Sequence, residues 1–349
     1  VLKELTALMD QIKPQRFSSD SPAVGIEVEA YTRWTRQEIA NDLLREIQKI
    51  DPQAKLISKK RLSTEELVHR IQFESGGKAK VLKVMNDNSL NPPYGFHGVE
   101  IVSPKLDSTE QRKSFLSLIE TLTDKGKLNQ VPEEGGLHIH VDFPAPSLEE
   151  ILVLMKLYKS LEGDLIKLFS VSDHRIKTHV PRLPKEMIDR AENSSIEDRS
   201  GDQLLRYLHD HFDDNPGAGL NFFTKTKRRT LEFRLFNSTV NTEAIEVMAD
   251  FSAKLVKAVR SSDPRLKNYL QSNNQISVDG LSKALEMKLA ENPKVIEKIA
   301  KELREYLQEV DGSLLGHQGS TADSDFFWLF LFAIYFQYRD ATFSQSEGS

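Results

Sequence analysis

The chain has 349 residues, of which 39% are hydrophobic and 28% charged, enough to bury a substantial core in one large domain or two ordinary ones. Its formal net charge of -5 argues against a nucleic-acid binder, and the lack of cysteine excludes disulfides, thiolate metal sites and cysteine nucleophiles. The longest apolar run, Phe326–Phe336, has eleven residues and reads as a buried helix, short of the roughly 18–20 that span a bilayer.

In chain order, Leu2, Leu5, Leu8, Met9 and Ile12 predict an amphipathic helix over 1–13 that Pro14 ends. Val24–Tyr31 alternates apolar and acidic residues and predicts a strand. Thr35–Ile50 predicts a helix, with Thr35 as N-cap and Glu38 completing a capping box. The segments 69–75 and 78–87 flank Gly76 and Gly77, a hairpin signal. His97–Pro104 reads as a strand, Ser108–Asp124 as a helix, and Gly135–Phe143 as a strand ended by Pro144 and Pro146. A long helix opens at Ser147, with Glu149 and Glu150 suited to its N-terminus, and runs to about Phe169. Residues 170–218 are irregular, polar and charged. Gly219–Phe223 and Thr230–Phe236 read as paired strands around the basic turn TKTKRR, and from Thr242 onward the pattern is helical. The fold class is α+β: an antiparallel sheet with helices on its apolar face, plus a C-terminal helical region.

Four of these strands share one signature. In GGLHIHVDF, His138, His140 and Asp142 alternate with Leu137, Ile139, Val141 and Phe143. Glu27 and Glu29 alternate with apolar neighbours in VGIEVEAY, as does Glu100 in HGVEIVSP. Glu232 and Arg234 do so in TLEFRLF. Period-two alternation gives each strand one face for a core and one face of ionisable groups. A solvated face ordinarily mixes Lys, Thr, Ser and Gln; here the polar positions are mainly Glu, His and Arg. Two carboxylates about 7 Å apart repel by roughly 2 kcal/mol at an effective dielectric of 20, so several together call for cations. Glu oxygens with a His nitrogen suit Mg²⁺ or Mn²⁺. Arg234 beside Glu232 suits a phosphate or a carboxylate.

GIEVEA (25–30), DNSL (87–90) with GVEIVSP (98–104), GLHIHVD (136–142), LNFF (220–223) and TLEFRLFNSTVN (230–241) follow one another as they do in the amidoligases, relatives of glutamine synthetase and glutamate–cysteine ligase. The chain resembles that family over residues 24 to about 262. The resemblance implies a curved antiparallel sheet of the glutamine synthetase/glutamate–cysteine ligase type with helices on the outer face. It implies a catalytic domain over 1–262 and a helical region over 263–349; the irregular segment 170–218 reads either as a lid that shields an acyl phosphate from water or as a solvent-exposed decoration. The activity implied is a carboxylate–amine ligase: ATP phosphorylates a carboxylate, and an amine attacks the acyl phosphate. Two or more Mg²⁺ or Mn²⁺ ions are implied, held by Glu27, Glu29, Asp87, Glu100, His138 and Glu232. Arg234 matches the arginine that stabilises the transferring phosphoryl group. His140 and Asn221 fall near substrate or phosphate, and Arg175 is a further clamp. Glu232 and Glu29 join Arg234 as catalytic candidates, with Glu29 or Asp142 taking the amine proton.

The partners expected are small-molecule or peptide carboxylates and amines, with no nucleic acid and no membrane span. ATP use points to the cytoplasm; the first residue is Val1, which leaves an exported form open. Two other readings compete: a metal-dependent hydrolase using the HxH and carboxylate face, and a non-catalytic binding module on a ligase-like scaffold. The ammonia-site segment and the long nucleotide loop of glutamine synthetase have no counterpart here, so its substrates do not carry over.

Overall fold

Strand β1 (Val24–Thr32) realises the alternation: Ile26, Val28 and Ala30 are fully buried on one face, and Glu27 and Glu29 project from the other. The computed structural model describes residues 1–15, 17, 22–60, 67–131, 134–169, 171, 173–193, 219–222, 230–291, 298 and 301. The basic turn at 224–229, residues 194–218 of the expected lid and the apolar run at 326–336 lie outside the described residues.

The other strands are β2 (Lys55–Lys60), β3 (Leu67–Ser75), β4 (Lys78–Asn86), β5 (His97–Val102), β6 (Leu137–Asp142), β7 (Leu220–Asn221) and β8 (Thr230–Phe233). They form one open sheet in the order β2-β3-β4-β5-β1-β6-β8-β7, every neighbouring pair antiparallel. Gly76 and Gly77 make the β3–β4 turn with φ of 60° and 68°, backbone that glycine adopts without a Cβ penalty. Two departures from the sequence reading concern strands. β2 is a short, lysine-rich edge strand whose pairing with β3, not its composition, defines it. β8 stops at Phe233 rather than Phe236. Beyond it Leu137 N–H donates to the Phe236 carbonyl at 3.2 Å, and Gly136 bridges Asn237, so the chain still tracks the start of β6.

Ten helices are described: α1 (Leu2–Gln11), α2 (Arg36–Gln48), α3 (Thr109–Asp124), α4 (Leu148–Leu168), α5 (Asp173–Thr178), α6 (Lys185–Glu192), α7 (Thr242–Arg260), α8 (Pro264–Ser272), α9 (Val278–Ala284) and α10 (Lys288–Glu291). Thr35 with Glu38 and Ser147 with Glu150 form reciprocal capping boxes that start α2 and α4. α2 packs against β2, β3 and β4, and α7 against β1 and β6, while α3 and α4 pack on α7. The core between sheet and helices contains Val99, Ile101, Leu137, Ile139, Val141, Leu231 and Phe233, all buried. None of the described helices is long and apolar enough to cross a membrane. The apolar face is thus fixed against helices, and every strand that crosses the centre must turn its ionisable residues the opposite way.

Ile139 is fully buried at the middle of β6. Ile139→Ala is expected to lower stability by about 2–5 kcal/mol through lost transfer energy and the cavity left behind. A urea midpoint that moves by that amount at constant m-value checks this; an unmoved midpoint means the inner face of β6 is not in the core.

Candidate active site

Register brings the predicted residues together. Glu27 lies opposite His138 of β6, and Glu29 opposite Glu100 of β5. His140 lies opposite Glu232 of β8, which lies opposite Asn221 of β7. Directly paired residues share a face, so all seven project from the side away from the helices. His138 Nδ1 is 3.5 Å from Glu27 Oε2 and 3.6 Å from Glu232 Oε1, and its Nε2 is 3.5 Å from Glu29 Oε1. His140 Nε2 is 3.3 Å from Glu27 Oε1 and 3.7 Å from Glu232 Oε1. Arg234 Nη1 donates to Glu232 Oε1 at 3.0 Å, and Asn221 Nδ2 donates to Glu232 Oε2 at 2.8 Å.

Two residues from outside the strands join the set. Asp87 follows β4, and its Oδ1 accepts from Ser89 N–H and Oγ–H at 2.9 and 2.6 Å. Its Oδ2 is shut from solvent with no hydrogen-bond partner among the described residues. Gly98 makes this possible: a Cβ there would strike the Asp87 carbonyl oxygen. Arg175, from α5, is almost fully buried and donates to the carbonyls of Glu134 (3.2 Å) and Arg234 (3.0 Å). Its guanidinium runs over Gly136, where any Cβ would meet Arg175 and His138. Asp142 departs from the group: it pairs with Lys105 at 2.9 Å at the far end of β6, with its side chain 36% exposed.

The electrostatics show what such crowding costs. Burial pushes the Glu100 carboxyl up to about 9, and the charges of Glu27, Glu29 and Asp87 add to it. Burial also raises Glu29, against the opposing influence of His138. Burial works to raise Glu27 too, but the hydrogen bonds and charges of His138 and His140 prevail and hold it well below the usual carboxylate range. Burial brings Arg175 down to about 10, with Glu29 resisting. The set is short of positive charge on its acidic side. Glu27, His140 and Glu232 offer ligand atoms all within 4.8 Å of one another, and Asp87 Oδ2 is an unspent acceptor. Oxygen-rich donors with one imidazole fit a hard divalent cation such as Mg²⁺ or Mn²⁺. The tightest triple contains His140, which the sequence had suggested for substrate, rather than His138.

Some contributors carried no sequence signal of their own. Gly136 N–H donates to Glu29 Oε2 at 2.5 Å, Ser238 Oγ–H donates to the Glu29 carbonyl, and Thr230 Oγ1 lies 3.3 Å from His140 Nδ1. Tyr31 O–H and Asn91 N–H both donate to Glu134 Oε2, at 2.7 and 2.9 Å, which ties the Asp87 loop to β1. The NSTVN run had stood out as a motif; its work is to carry Ser238 beneath Glu29 and to cap α7 with Asn241.

An open antiparallel sheet with carboxylates, imidazoles and arginines converging on one face is what the motifs had led us to expect. Residues 21–256 match the family model described as "Putative amidoligase enzyme", and the chain belongs to this amidoligase family, a family of ligases. No curated protein matches the chain.

A raised carboxyl favours the folded state below its unfolded value, near 4.5 for Glu100, and that contribution is lost as pH rises toward about 9. Glu27 adds no slope in this window, being ionised in both states. Melting in EDTA is therefore expected to show Tm falling as pH rises from about 5 to about 9. Mn²⁺ should restore Tm at the alkaline end, and Glu100→Gln should flatten the profile. A flat wild-type profile in EDTA would show that the acids do not crowd one another.

Proposed function

We propose that the protein is an ATP-dependent carboxylate–amine ligase acting through an acyl phosphate. The observation that carries the reading is the convergence of Glu27, Glu29, Glu100, His138, His140 and Glu232 from four strands onto one face, with Arg234 against Glu232. The family match supports a ligase. The open antiparallel sheet supports the glutamine synthetase-like scaffold expected from the motifs, with catalysis assigned to residues up to about 262.

Glu27, Glu29, Asp87, Glu100, Glu232 and the two histidines would hold Mg²⁺ or Mn²⁺ ions, two or more. Bound there, such ions neutralise phosphate oxygens and polarise the phosphorus. The chain's own residues supply the rest. Arg234 presents its guanidinium beside Glu232, and its Nε has no partner among the described residues. Such a donor matches the equatorial oxygens of a phosphoryl group in transfer. Asn221 holds Glu232 in place from the far side, and Arg175 stiffens the Arg234 backbone through its carbonyl. The substrate carboxylate takes the γ-phosphoryl group and ADP leaves. The amine then attacks the acyl carbon, phosphate departs with the bonding pair, and nitrogen loses a proton. Glu29 is the better acceptor for that proton, because Asp142 is engaged by Lys105. Substrates are small-molecule or peptide acids and amines, and ATP use places the reaction in the cytoplasm.

ADP release is measured with ATP, Mg²⁺ and mixtures of amino acids and short peptides. Glu27→Gln and Arg234→Ala are each expected to lower it about 10²–10³-fold, the usual loss for one electrostatic stabiliser, with melting temperature held within a few degrees. Amide cleavage that proceeds without nucleotide, with Zn²⁺ preferred over Mg²⁺, would overturn the ligase in favour of a hydrolase.

A further inference from the structure

The end of β1 carries a second, smaller apolar cluster on the same face as the acids. Tyr31 follows Glu27 and Glu29 at period two, so it projects from that face. It is buried with Leu90 and Val131, and Phe96 packs against them, apart from the core beneath the sheet. The Tyr31 and Phe96 rings lie 6.4 Å apart, and the Arg33 guanidinium stands 4.6 Å from the centre of the Phe96 ring. Leu90 and Phe96 belong to the loop that joins β4 to β5, and this loop begins at Asp87. The cluster therefore packs the segment that delivers Asp87 down onto the site face.

Register places that segment beside the acids. Asp87 N–H donates to the Gly98 carbonyl at 3.3 Å, and Gly98 pairs with Tyr31. The bare Cα of Gly98 seats the loop, since a Cβ there would meet the Asp87 carbonyl and Leu90. In the adjacent row of the same face, Glu100 pairs with Glu29. The Glu134 side chain then ties the loop to the rest of the site. Its Oε2 accepts from Tyr31 O–H at 2.7 Å and from Asn91 N–H at 2.9 Å. A carboxylate binds such donors more strongly than a neutral acceptor does. The carbonyl of the same residue accepts from Arg175 at 3.2 Å, and two residues on Gly136 N–H donates to Glu29 Oε2. Glu134 thus joins the loop of Asp87, the arginine that reaches the Arg234 backbone, and the turn that holds Glu29.

We infer that Glu134 is a positioning residue of the cation centre, holding the loop at Asn91 so that the Asp87 carboxylate stays beside Glu29 and Glu100. This role rests on the cations proposed above and not on the reaction they serve, and a failed ligase assay leaves it standing. Glu134 acts on the ions through Asp87. Without its carboxylate the loop keeps its apolar contacts but loses the two bonds that fix Asn91 against the site face, and Asp87 spends part of its time out of reach. Loss of a partner behind a metal ligand ordinarily weakens metal affinity about 10–100-fold.

The test is calorimetric titration of the full chain with Mn²⁺ alone, in the wild type and in Asp87→Asn, Glu134→Ala, Glu134→Gln and Tyr31→Phe, with melting temperatures recorded beside it. Glu134→Ala is expected to weaken Mn²⁺ binding about tenfold. Glu134→Gln keeps an oxygen able to accept both bonds and should stay within about threefold of wild type. Tyr31→Phe removes one of the two donors and should fall between. Glu134→Ala added to Asp87→Asn should bind no more weakly than Asp87→Asn alone, because both changes remove the same ligand. A merely structural Glu134 would lower the melting temperature, and any loss of affinity would add to that of Asp87→Asn. Wild-type affinity in Glu134→Ala, or losses that add in the double variant, overturns the proposal. Where Glu134→Ala fails to fold, Tyr31→Phe takes its place in the double variant under the same two criteria. A wild type that binds no Mn²⁺ removes the cation centre and this role with it; a wild type that binds Mn²⁺ no better than Glu134→Ala removes this role alone.

Discussion

Repulsion among carboxylates packed onto one sheet face is the constraint around which this protein is arranged. Glu27, Glu29 and Glu100 sit on adjacent strands, with Asp87 and Glu232 close by, and burial strips away the water that would otherwise separate their charges. The fold answers with imidazoles, which sit between the acids, and with guanidiniums at the edge. His138 alone contacts three glutamates. That answer is incomplete: Glu27 stays ionised at the expense of Glu100, which holds its proton into the alkaline range. A set of acids that cannot all ionise is one that a divalent cation can both relax and exploit.

Much of this was legible from period-two alternation. Each strand with the signature turned its ionisable residues to the same side, because Ile26, Val28, Ile101, Ile139 and Phe233 had only the helices to pack against. Register was not legible. That His140 rather than His138 completes the tightest donor triple follows from its pairing with Glu232, and pairing belongs to the sheet and not to either strand. Asp87 closes the predicted hairpin segment, where alternation does not set its role; its position depends on Gly98 of β5, whose bare Cα lets the Asp87 carbonyl approach. Arg175 was a bare guess from a polar segment. Its approach depends on the missing side chain of Gly136, and nothing in GLHIHVD ties that glycine to an arginine from another element.

The two halves of the sheet face divide the chemistry. Strands β5, β1, β6 and β8 bear the acids and histidines, and β2, β3 and β4 bear lysines and an arginine. A ligand carrying both phosphates and a carboxylate meets a surface whose potential varies along its own length, so orientation is set before any contact is made. Among the helices, α5 adds the Arg175 guanidinium to this face. The contribution of α7 is mechanical: it lies under β1 and β6, and the segment leading into it threads Ser238 beneath Glu29.

Sheet order differs from chain order, and this bears on how the molecule matures. Among the described strands Glu27 comes from the first synthesised and Glu232 from the last, yet both histidines lie against the two. A nascent chain that has made β1, β5 and β6 already assembles mutually repelling acids but lacks the strand that closes the ring of donors. Cations that bind only the finished arrangement stabilise completed molecules and not partial ones. An ion held by the closed ring of donors would thereby reward only polypeptides in which β8 has docked.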